Sequence, residues 1–362
     1  MPKKTQTRAR ESEHKVVNLG LQGGGAHGAF AWGVLDKLLE DGRLSVEGVC
    51  ATSAGTMNAC ALAYGDLLGG PEKARETLHD FWWRVHRAGQ LYSPVKRMPW
   101  ERQLSWNMDS SIAFFLFDSM TRLWSPYQLN PFDINPLRDV LDKTIDFEAL
   151  RTCRRTKLFI SATSVRTGKV KVFPTSEITL DVAMASACLP FLFKAVTIDG
   201  EDYWDGGYMG NPALFPLFYK TQSRDIVVVH INPMERHDTP VTAPDIMNRV
   251  NEISFNSSLL KEMRAIAFVK RLLENDMLKD EYRDSFKNVL LHSVRADAAL
   301  CDLSVASKFD SDWDFLTMLR DRGRQTMAEW LDQNISHVGV RDTVNLSNEF
   351  LGSVSPMFES AG

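Results

Sequence analysis

The sequence predicts an α/β fold with a central, mostly parallel sheet, and three observations support this. Short apolar or β-branched runs alternate with segments whose apolar residues recur every three or four positions. Two strand-to-helix turns consist of small residues, at 23–28 and at 51–55. The run Asp225 to Ile231 is strongly apolar, as is typical of a strand buried on both faces of a parallel sheet.

The elements of this fold can be followed in order along the chain. Residues 16–19 predict a first strand, and residues 29–39 have the apolar spacing of a helix. Residues 46–51 predict the second strand, which is followed by a helix of small residues at 57–64. A strand at 157–164 is expected to pair with residues 169–174. Helical spacing returns over 247–273 and 313–335.

Composition divides the chain into parts with different expected roles. The largest part is predicted to be an α/β catalytic domain over residues 16–240, which contains an aromatic-rich insertion at 81–132. The other parts are a flexible arm at 1–15, a helical extension packed on the core at 241–344, and a tail at 345–362.

The composition excludes several classes of protein. Of 362 residues, 44% are hydrophobic and 24% are charged, which excludes wholesale disorder. A net charge of −4 gives no reason to expect nucleic-acid binding. The 5 cysteines lack metal-ligand spacing and are expected to be buried thiols in a reducing compartment, so a cytoplasmic protein is predicted. The sequence shows neither a secretory signal nor a transmembrane run. Any contact with a membrane is therefore expected to be peripheral.

The first small-residue turn, Gly23 to Gly28, predicts a binding site for negative charge. Successive glycines allow several N–H groups to point into one concavity at the positive end of the next helix. Such a concavity can hold a phosphate or the oxyanion of an acyl-transfer intermediate. Gly23, Gly25 and Gly28 also satisfy the dinucleotide fingerprint GxGxxG, but the second strand ends without the acidic residue that would hold a ribose. A turn that serves only helix packing is the remaining alternative.

The second turn, Ala51 to Gly55, is typical of a nucleophile elbow centred on Ser53. In such an elbow, small neighbours let strand and helix approach while the serine is exposed on a sharp turn. Ala51 stands where glycine is usual. Because adjacent parallel strands end at the same edge of a sheet, the two turns are expected to lie side by side.

A serine nucleophile also needs a base. The late histidines are His230, His237, His292 and His337, none of which lies in a small-residue turn; His230 is expected to be a core histidine. Asp205 is the better candidate, because the two glycines after it allow close approach to another element. An Asp-Gly hairpin turn is the alternative interpretation of Asp205.

Four blocks in this order resemble the patatin-like phospholipases of bacterial type. They are Gly23-Gly24-Gly25-Ala26-His27-Gly28, Ala51-Thr52-Ser53-Ala54-Gly55, Ala185-Ser186-Ala187-Cys188-Leu189-Pro190-Phe191 and Asp205-Gly206-Gly207. The resemblance covers residues 16–232. The sequence departs from the family pattern at two positions. The first is Ala51, and the second is His27, where the family commonly has Arg or Lys. The second departure is expected to weaken anion attraction and to make the site pH-dependent.

The resemblance implies a three-layer α/β/α fold and a Ser–Asp dyad without histidine. Ser53 would be the nucleophile, Asp205 the base, and Gly23, Gly24 and Gly25 the oxyanion hole. It implies hydrolysis of fatty acyl esters of phospholipids or related lipids, as in phospholipases A or lysophospholipases, with no cofactor and no metal. Because a carboxyl of ordinary pKa ~3.9 is a weak base, burial is expected to raise the pKa of Asp205.

The aromatic-rich stretch 98–132 is the candidate for contact with the lipid. Phe114, Phe115 and Trp124 are the predicted substrate-binding residues, and the stretch is expected to be either a lid or part of the core. Two further functions stay open: an acyl-thioester hydrolase or acyltransferase, and a lipid-binding protein without turnover. The sequence gives no indication of the oligomeric state.

Overall fold

A computed structural model describes residues 14–93, 95, 106, 112–236, 239–283 and 285–351. Within these ranges the centre of the molecule is an eight-stranded sheet. Its strands are β1 (Lys15–Leu21), β2 (Leu44–Ala51), β3 (Lys157–Ser164), β4 (Val170–Pro174), β5 (Val196–Ile198), β6 (Glu201–Asp205), β7 (Asp225–His230) and β8 (Leu290–Arg295). The predicted α/β class is confirmed.

The sheet is parallel in its middle and antiparallel at one side. Its order is β5-β6-β3-β2-β1-β7-β8, and β4 pairs with β3 beside this path. The pairs β1/β2, β1/β7, β2/β3 and β7/β8 are parallel. The pairs β3/β4, β3/β6 and β5/β6 are antiparallel, so the predicted pairing of residues 169–174 with β3 is confirmed.

The helices are, in chain order, α1 (Gly28–Asp41), α2 (Ala54–Tyr92), α3 (Ile112–Leu123), α4 (Pro126–Leu129), α5 (Pro136–Thr144), α6 (Phe147–Arg151), α7 (Leu180–Ser186), α8 (Phe215–Lys220), α9 (Ala243–Glu274), α10 (Asp280–Arg283), α11 (Asp297–Leu300) and α12 (Trp313–Asn334). Helix α2 is much longer than the predicted 57–64 and is kinked at Gly69 and Gly70. Its end therefore includes the first residues of the predicted insertion. Among the described residues, none of the helices combines the length and the apolarity that crossing a bilayer requires.

Apolar side chains pack on both faces of the sheet, as the alternation along β7 illustrates. Val227 and Val229 belong to the apolar cluster formed with α1, α2 and α12. Ile226 and Val228 belong to a separate cluster with α8 and α9. Since successive residues of a strand point to opposite faces, helices cover both sides of the sheet. This confirms the three-layer arrangement.

The C-terminal extension is more closely integrated with the sheet than its helical pattern predicts. It contributes β8, which pairs in parallel with β7. Its helix α12 packs on α1 so closely that a Cβ on Gly323 would collide with the carbonyl oxygen of Phe30. Phe350, within the predicted tail, is buried in the cluster with α8 and α9. These contacts hold the extension against the part of the chain that carries the two small-residue turns.

Candidate active site

Ser53 occupies a sharp turn between the end of β2 and the start of α2. Its backbone has φ 54° and ψ −124°, a conformation that a residue with a side chain rarely adopts. Gly55 permits the turn, because a Cβ there would collide with the carbonyl oxygen of Leu21 on β1. Such strain costs about 1–3 kcal/mol and typically persists at functional sites. The sharp turn expected here is present, but Ser53 is buried, with 9% of its surface exposed, rather than exposed as the elbow pattern predicts.

The third block of the sequence pattern, at residues 185–191, supports this turn. Ser186 lies at the end of α7 and is fully buried. Its hydroxyl accepts a hydrogen bond from the N–H of Ser53 at 3.0 Å and lies 2.8 Å from the hydroxyl of Thr56. The carbonyl of Cys188 accepts a hydrogen bond from the N–H of Asp205 at 2.8 Å. This one segment therefore fixes the backbone at both Ser53 and Asp205.

Asp205 approaches the serine because two strands share one edge of β3. Residues 159–160 of β3 pair with both β2 and β4, and residues 162–163 pair with both β6 and β4. A strand has two edges, so β2 and β6 lie on the same edge of β3, opposite β4. β2 runs parallel to β3 and ends at Ala51, whereas β6 runs antiparallel and ends at Asp205. The C-terminal ends of the two strands meet, which brings Asp205 next to the turn of Ser53.

The carboxyl group of Asp205 is fully buried. Its Oδ1 atom accepts a hydrogen bond from the N–H of Gly207 at 2.7 Å, whereas Oδ2 makes no hydrogen bond of regular geometry within the described ranges. Burial raises the pKa of Asp205 to about 7; the Gly207 N–H, the Ser53 hydroxyl and the charge of Lys308 act in the opposite direction. The expected rise in this pKa is borne out. The carboxyl group of Asp205 therefore titrates near neutral pH instead of in the acidic range.

The glycines after Asp205 are required by close packing, as expected from the sequence. A Cβ on Gly206 would collide with the carbonyl oxygen of Ser161, and a Cβ on Gly207 would lie 2.6 Å from the ring of Phe255. Asp205 ends β6 and caps the short 3₁₀ helix Gly206–Tyr208. The alternative of a hairpin turn at this position is wrong.

Gly23 provides space for the serine. A Cβ on Gly23 would lie 2.6 Å from the Cβ of Ser53, so a larger residue would displace the nucleophile or the turn. The N–H of Gly23, however, already donates to Oδ1 of Asn211 at 2.6 Å. This differs from the expectation that all three glycines offer their N–H groups to an oxyanion.

Three other N–H groups remain near the serine. Those of Gly24, Gly25 and Ala54 donate no hydrogen bond within the described part of the chain. Gly25 has φ 59°, in the left-handed region that favours glycine. The N–H of the residue after the nucleophile, here Ala54, is a common oxyanion donor in nucleophile elbows. The signal for this donor in the sequence is the position of Ala54 directly after Ser53.

The described histidines do not take the place of the base. Burial lowers the pKa of His230 to about 3, and its Nε2 lies 2.7 Å from the hydroxyl of Ser293, so it is a core histidine as predicted. His292 bonds to Asp225 and Thr343, and His337 to Arg341. His237 lies outside the described residues. Among the residues that the structure describes, no cluster of His, Cys, Asp or Glu has the arrangement of a metal site.

His27 is buried beside the glycine turn and is 3% exposed. Its Nε2 lies 2.8 Å from the hydroxyl of Ser307. Burial and the positive charge of Lys308 lower its pKa well below the usual range. His27 is therefore neutral at physiological pH and brings no positive charge to the turn.

The predicted lipid-contacting residues have different environments. Phe114 on α3 is half-buried, and its ring lies 6.1 Å from the ring of Phe309. Trp124, just after α3, is exposed. The side chain of Phe115 lies outside the described residues, as does most of 96–111. Helix α3 thus has one packed side and an exposed side that carries Leu116, Met120 and Leu123.

Sequence reasoning missed several polar residues that surround the glycine turn. Asn211 binds the N–H of Gly23, and Asn232 donates to the carbonyl of Gly23 at 2.8 Å. Lys308 lies close enough for its charge to act on Asp205. These residues belong to separate loops with no motif of their own, so only the folded arrangement identifies them.

Comparison with known proteins identifies a family over the part of the chain that carries Ser53 and Asp205. The patatin-like phospholipase family matches residues 19–218, which is more than half of the chain. No curated protein sequence matches significantly. Similar solved structures include VipD from Legionella pneumophila, with 16% identity, a TM-score of 0.42, and coverage of 89% of this chain and 67% of VipD.

Two further structures contain ExoU. One is the complex of full-length SpcU with full-length ExoU from the type III secretion system of Pseudomonas aeruginosa, with 13% identity, a TM-score of 0.33 and coverage of 88% of this chain and 52% of that one. The other, of the type III effector protein ExoU, has 14% identity, a TM-score of 0.32 and coverage of 88% and 53%. The chain thus spans about half the length of ExoU. On the match over residues 19–218, this chain belongs to the patatin-like phospholipase family.

Proposed function

We propose that the protein is a serine acyl hydrolase that cleaves fatty acyl esters of phospholipids or related lipids with Ser53 and Asp205. Membership of the family supports lipid hydrolysis as the class of activity. The observation that carries the dyad is a buried carboxyl that interacts with the hydroxyl of Ser53, a serine held on a strained turn, while Oδ2 has no regular hydrogen bond among the described residues.

In the first half of the proposed reaction, Oγ of Ser53 attacks the ester carbonyl and its proton passes to Oδ2 of Asp205. A pKa of about 7 makes this carboxylate a far better base than one of ordinary pKa near 3.8. Oδ1 stays bound to the N–H of Gly207, which holds the carboxyl in position. The carbonyl oxygen gains negative charge as the new C–O bond forms.

The N–H groups of Gly24, Gly25 and Ala54 are the proposed oxyanion donors. Gly23 then serves to admit the serine, since its own N–H is bound to Asn211. When the intermediate collapses, the leaving alcohol takes the proton from Asp205 and the acyl group stays on Ser53. Water then attacks the acyl-enzyme, gives its proton to Asp205, and releases the fatty acid as Ser53 regains its proton.

The acyl chain requires an apolar environment near the serine. Helix α3 packs Phe114 and Phe117 against Phe309, next to the segment that contacts the glycine turn. Its exposed side and the nearby Trp124 are suited to contact with lipid, because each buried CH₂ contributes ~0.8 kcal/mol. We propose this side of α3 as the peripheral contact with the lipid surface.

The test is product analysis by mass spectrometry after incubation with a mixed-lipid extract. The wild-type protein should release free fatty acids and lysolipids, and Ser53→Ala should release none. Ser257→Ala is a matched control, because that hydroxyl donates only to the carbonyl of Ser254 on α9. Release of CoA from acyl-CoA with no release from phospholipid would favour the thioester reaction instead. Equal turnover by wild type and a folded Ser53→Ala variant would refute the proposal.

A further inference from the structure

Lys308 belongs to a segment of the C-terminal extension that packs directly on the glycine turn. The short 3₁₀ helix Val305–Phe309 lies beyond residues 19–218, which the family match covers. A Cβ on Gly25 would lie 2.6 Å from the carbonyl oxygen of Lys308. Ser307, the preceding residue, bonds to His27. The backbone of this segment therefore forms one wall of the turn.

The ammonium group of Lys308 is held in a defined position. Nζ donates to Oδ1 of Asn232 at 2.9 Å and to Oδ1 of Asn251 at 3.3 Å. It also lies 5.5 Å from the centre of the Phe255 ring. Asn251 and Phe255 both lie on α9, so the extension supplies most of this binding site.

Asn232 connects Lys308 to the peptide between Gly23 and Gly24. Its Oδ1 accepts from Lys308, while its Nδ2 donates to the carbonyl of Gly23 at 2.8 Å. In a planar trans peptide, the carbonyl and the following N–H point in opposite directions. Fixing the carbonyl of Gly23 therefore fixes the direction of the Gly24 N–H, one of the proposed oxyanion donors.

The charge of Lys308 also acts on the neighbouring ionisable groups. It lowers the pKa of Asp205 and that of His27. Burial lowers the pKa of Lys308 itself to about 8; Glu252 and Asp205 raise it, and Arg236 lowers it. With His27 neutral, Lys308 is the cation that influences Asp205 among the described residues.

We propose that Lys308 is a positioning residue of the acyl-transfer site, which orients the Gly24 N–H through Asn232. This inference rests on the proposed function. It assigns to the C-terminal extension a direct part in the reaction, although the family match ends before it.

The test is the pH dependence of kcat for hydrolysis of a p-nitrophenyl acyl ester by four proteins: wild type, Lys308→Met, Lys308→Arg and Lys270→Met. Lys270 is the matched control, because it is a buried lysine of the same extension that bonds to Asp342 and the carbonyl of Val289. The wild-type rate should rise through about pH 7 as Asp205 ionises.

Lys308→Met should shift the rising limb to higher pH, because it removes a charge that lowers the pKa of Asp205. It should also lower kcat on the alkaline plateau, with little change in KM, because the Gly24 N–H is no longer oriented through Asn232. Lys308→Arg should keep the wild-type rising limb, because a guanidinium stays charged. Lys270→Met should keep the wild-type profile.

An inactive wild-type protein would refute the proposed function before Lys308 is tested. With an active wild type, an unchanged profile in folded Lys308→Met would overturn the inference. If Lys308→Met does not fold, Lys308→Gln, which is also uncharged, takes its place: a rising limb shifted to higher pH supports the inference, and an unchanged profile contradicts it.

Discussion

Gly23→Ala perturbs the site with a single methyl group. That Cβ would lie 2.6 Å from the Cβ of Ser53, whereas unstrained carbon contacts are about 3.5–4.0 Å. To relieve this close Cβ–Cβ contact, the serine and the glycine turn must move apart by roughly 1 Å. A displacement of that size costs about 10²-fold in rate, or ~2.7 kcal/mol. We therefore expect kcat of Gly23→Ala to fall by about two orders of magnitude.

Gly20→Ala is the matched control, on the strand β1 that leads to the turn. Its added Cβ would lie 2.8 Å from Cδ2 of Leu214, the far end of a flexible side chain. The assay is hydrolysis of a p-nitrophenyl acyl ester, with thermal unfolding by circular dichroism to confirm that both variants are folded. Gly20→Ala should stay within about tenfold of wild type. Equal kcat for the two variants would refute the argument from close contact.

Three further predictions concern stability and the support of the site. The pKa of Asp205 is about 7 in the folded protein and 3.8 without burial, so this carboxyl destabilises the fold progressively as pH rises between these values. Asp205→Asn should therefore raise the melting temperature by more at pH 9 than at pH 5, and an equal difference at the two pH values would contradict this. Ser186→Ala removes the acceptor of the Ser53 N–H, so it should cost about 1–3 kcal/mol in stability and lower kcat. An unchanged melting temperature together with an unchanged kcat would contradict this prediction. Gly323→Ala should lower the melting temperature, because the added Cβ pushes α12 away from the backbone of Phe30. Gln325→Ala changes an exposed side chain of the same helix and should leave the melting temperature unchanged.

The elements that carry the site could be predicted because their signals are local. The strand, glycine turn and helix around Gly23 form a contiguous pattern, and so does the elbow at Ser53. Asp205 was found through the glycines beside it, which close packing does require. Its approach to Ser53 depends on the register of β2 and β6 along β3, which the sequence does not encode in any one segment.

The contributions of the C-terminal extension could not be predicted in the same way. Lys308 bonds to Asn232 and to Asn251 of α9, and these three parts of the chain are far apart in sequence. The strand β8 is short, and its apolar residues adjoin polar ones, so the helical pattern around it dominated the prediction. The hydrogen bond from the N–H of Gly23 to Asn211 likewise joins two residues that are far apart in the sequence.

The most direct measurement compares the rates at which a fluorophosphonate probe labels Ser53 in wild type, Asp205→Asn and Asp202→Asn. Asp202 lies on the same strand as Asp205 but bonds to Thr197 at the surface, so its variant is the control. Peptide mass spectrometry should locate one adduct, on Ser53, in wild type and Asp202→Asn at similar rates. Asp205→Asn should react at least about 10²-fold more slowly, because the base is missing. Labelling at another residue, or equal rates in folded Asp205→Asn and wild type, would contradict a Ser53–Asp205 dyad.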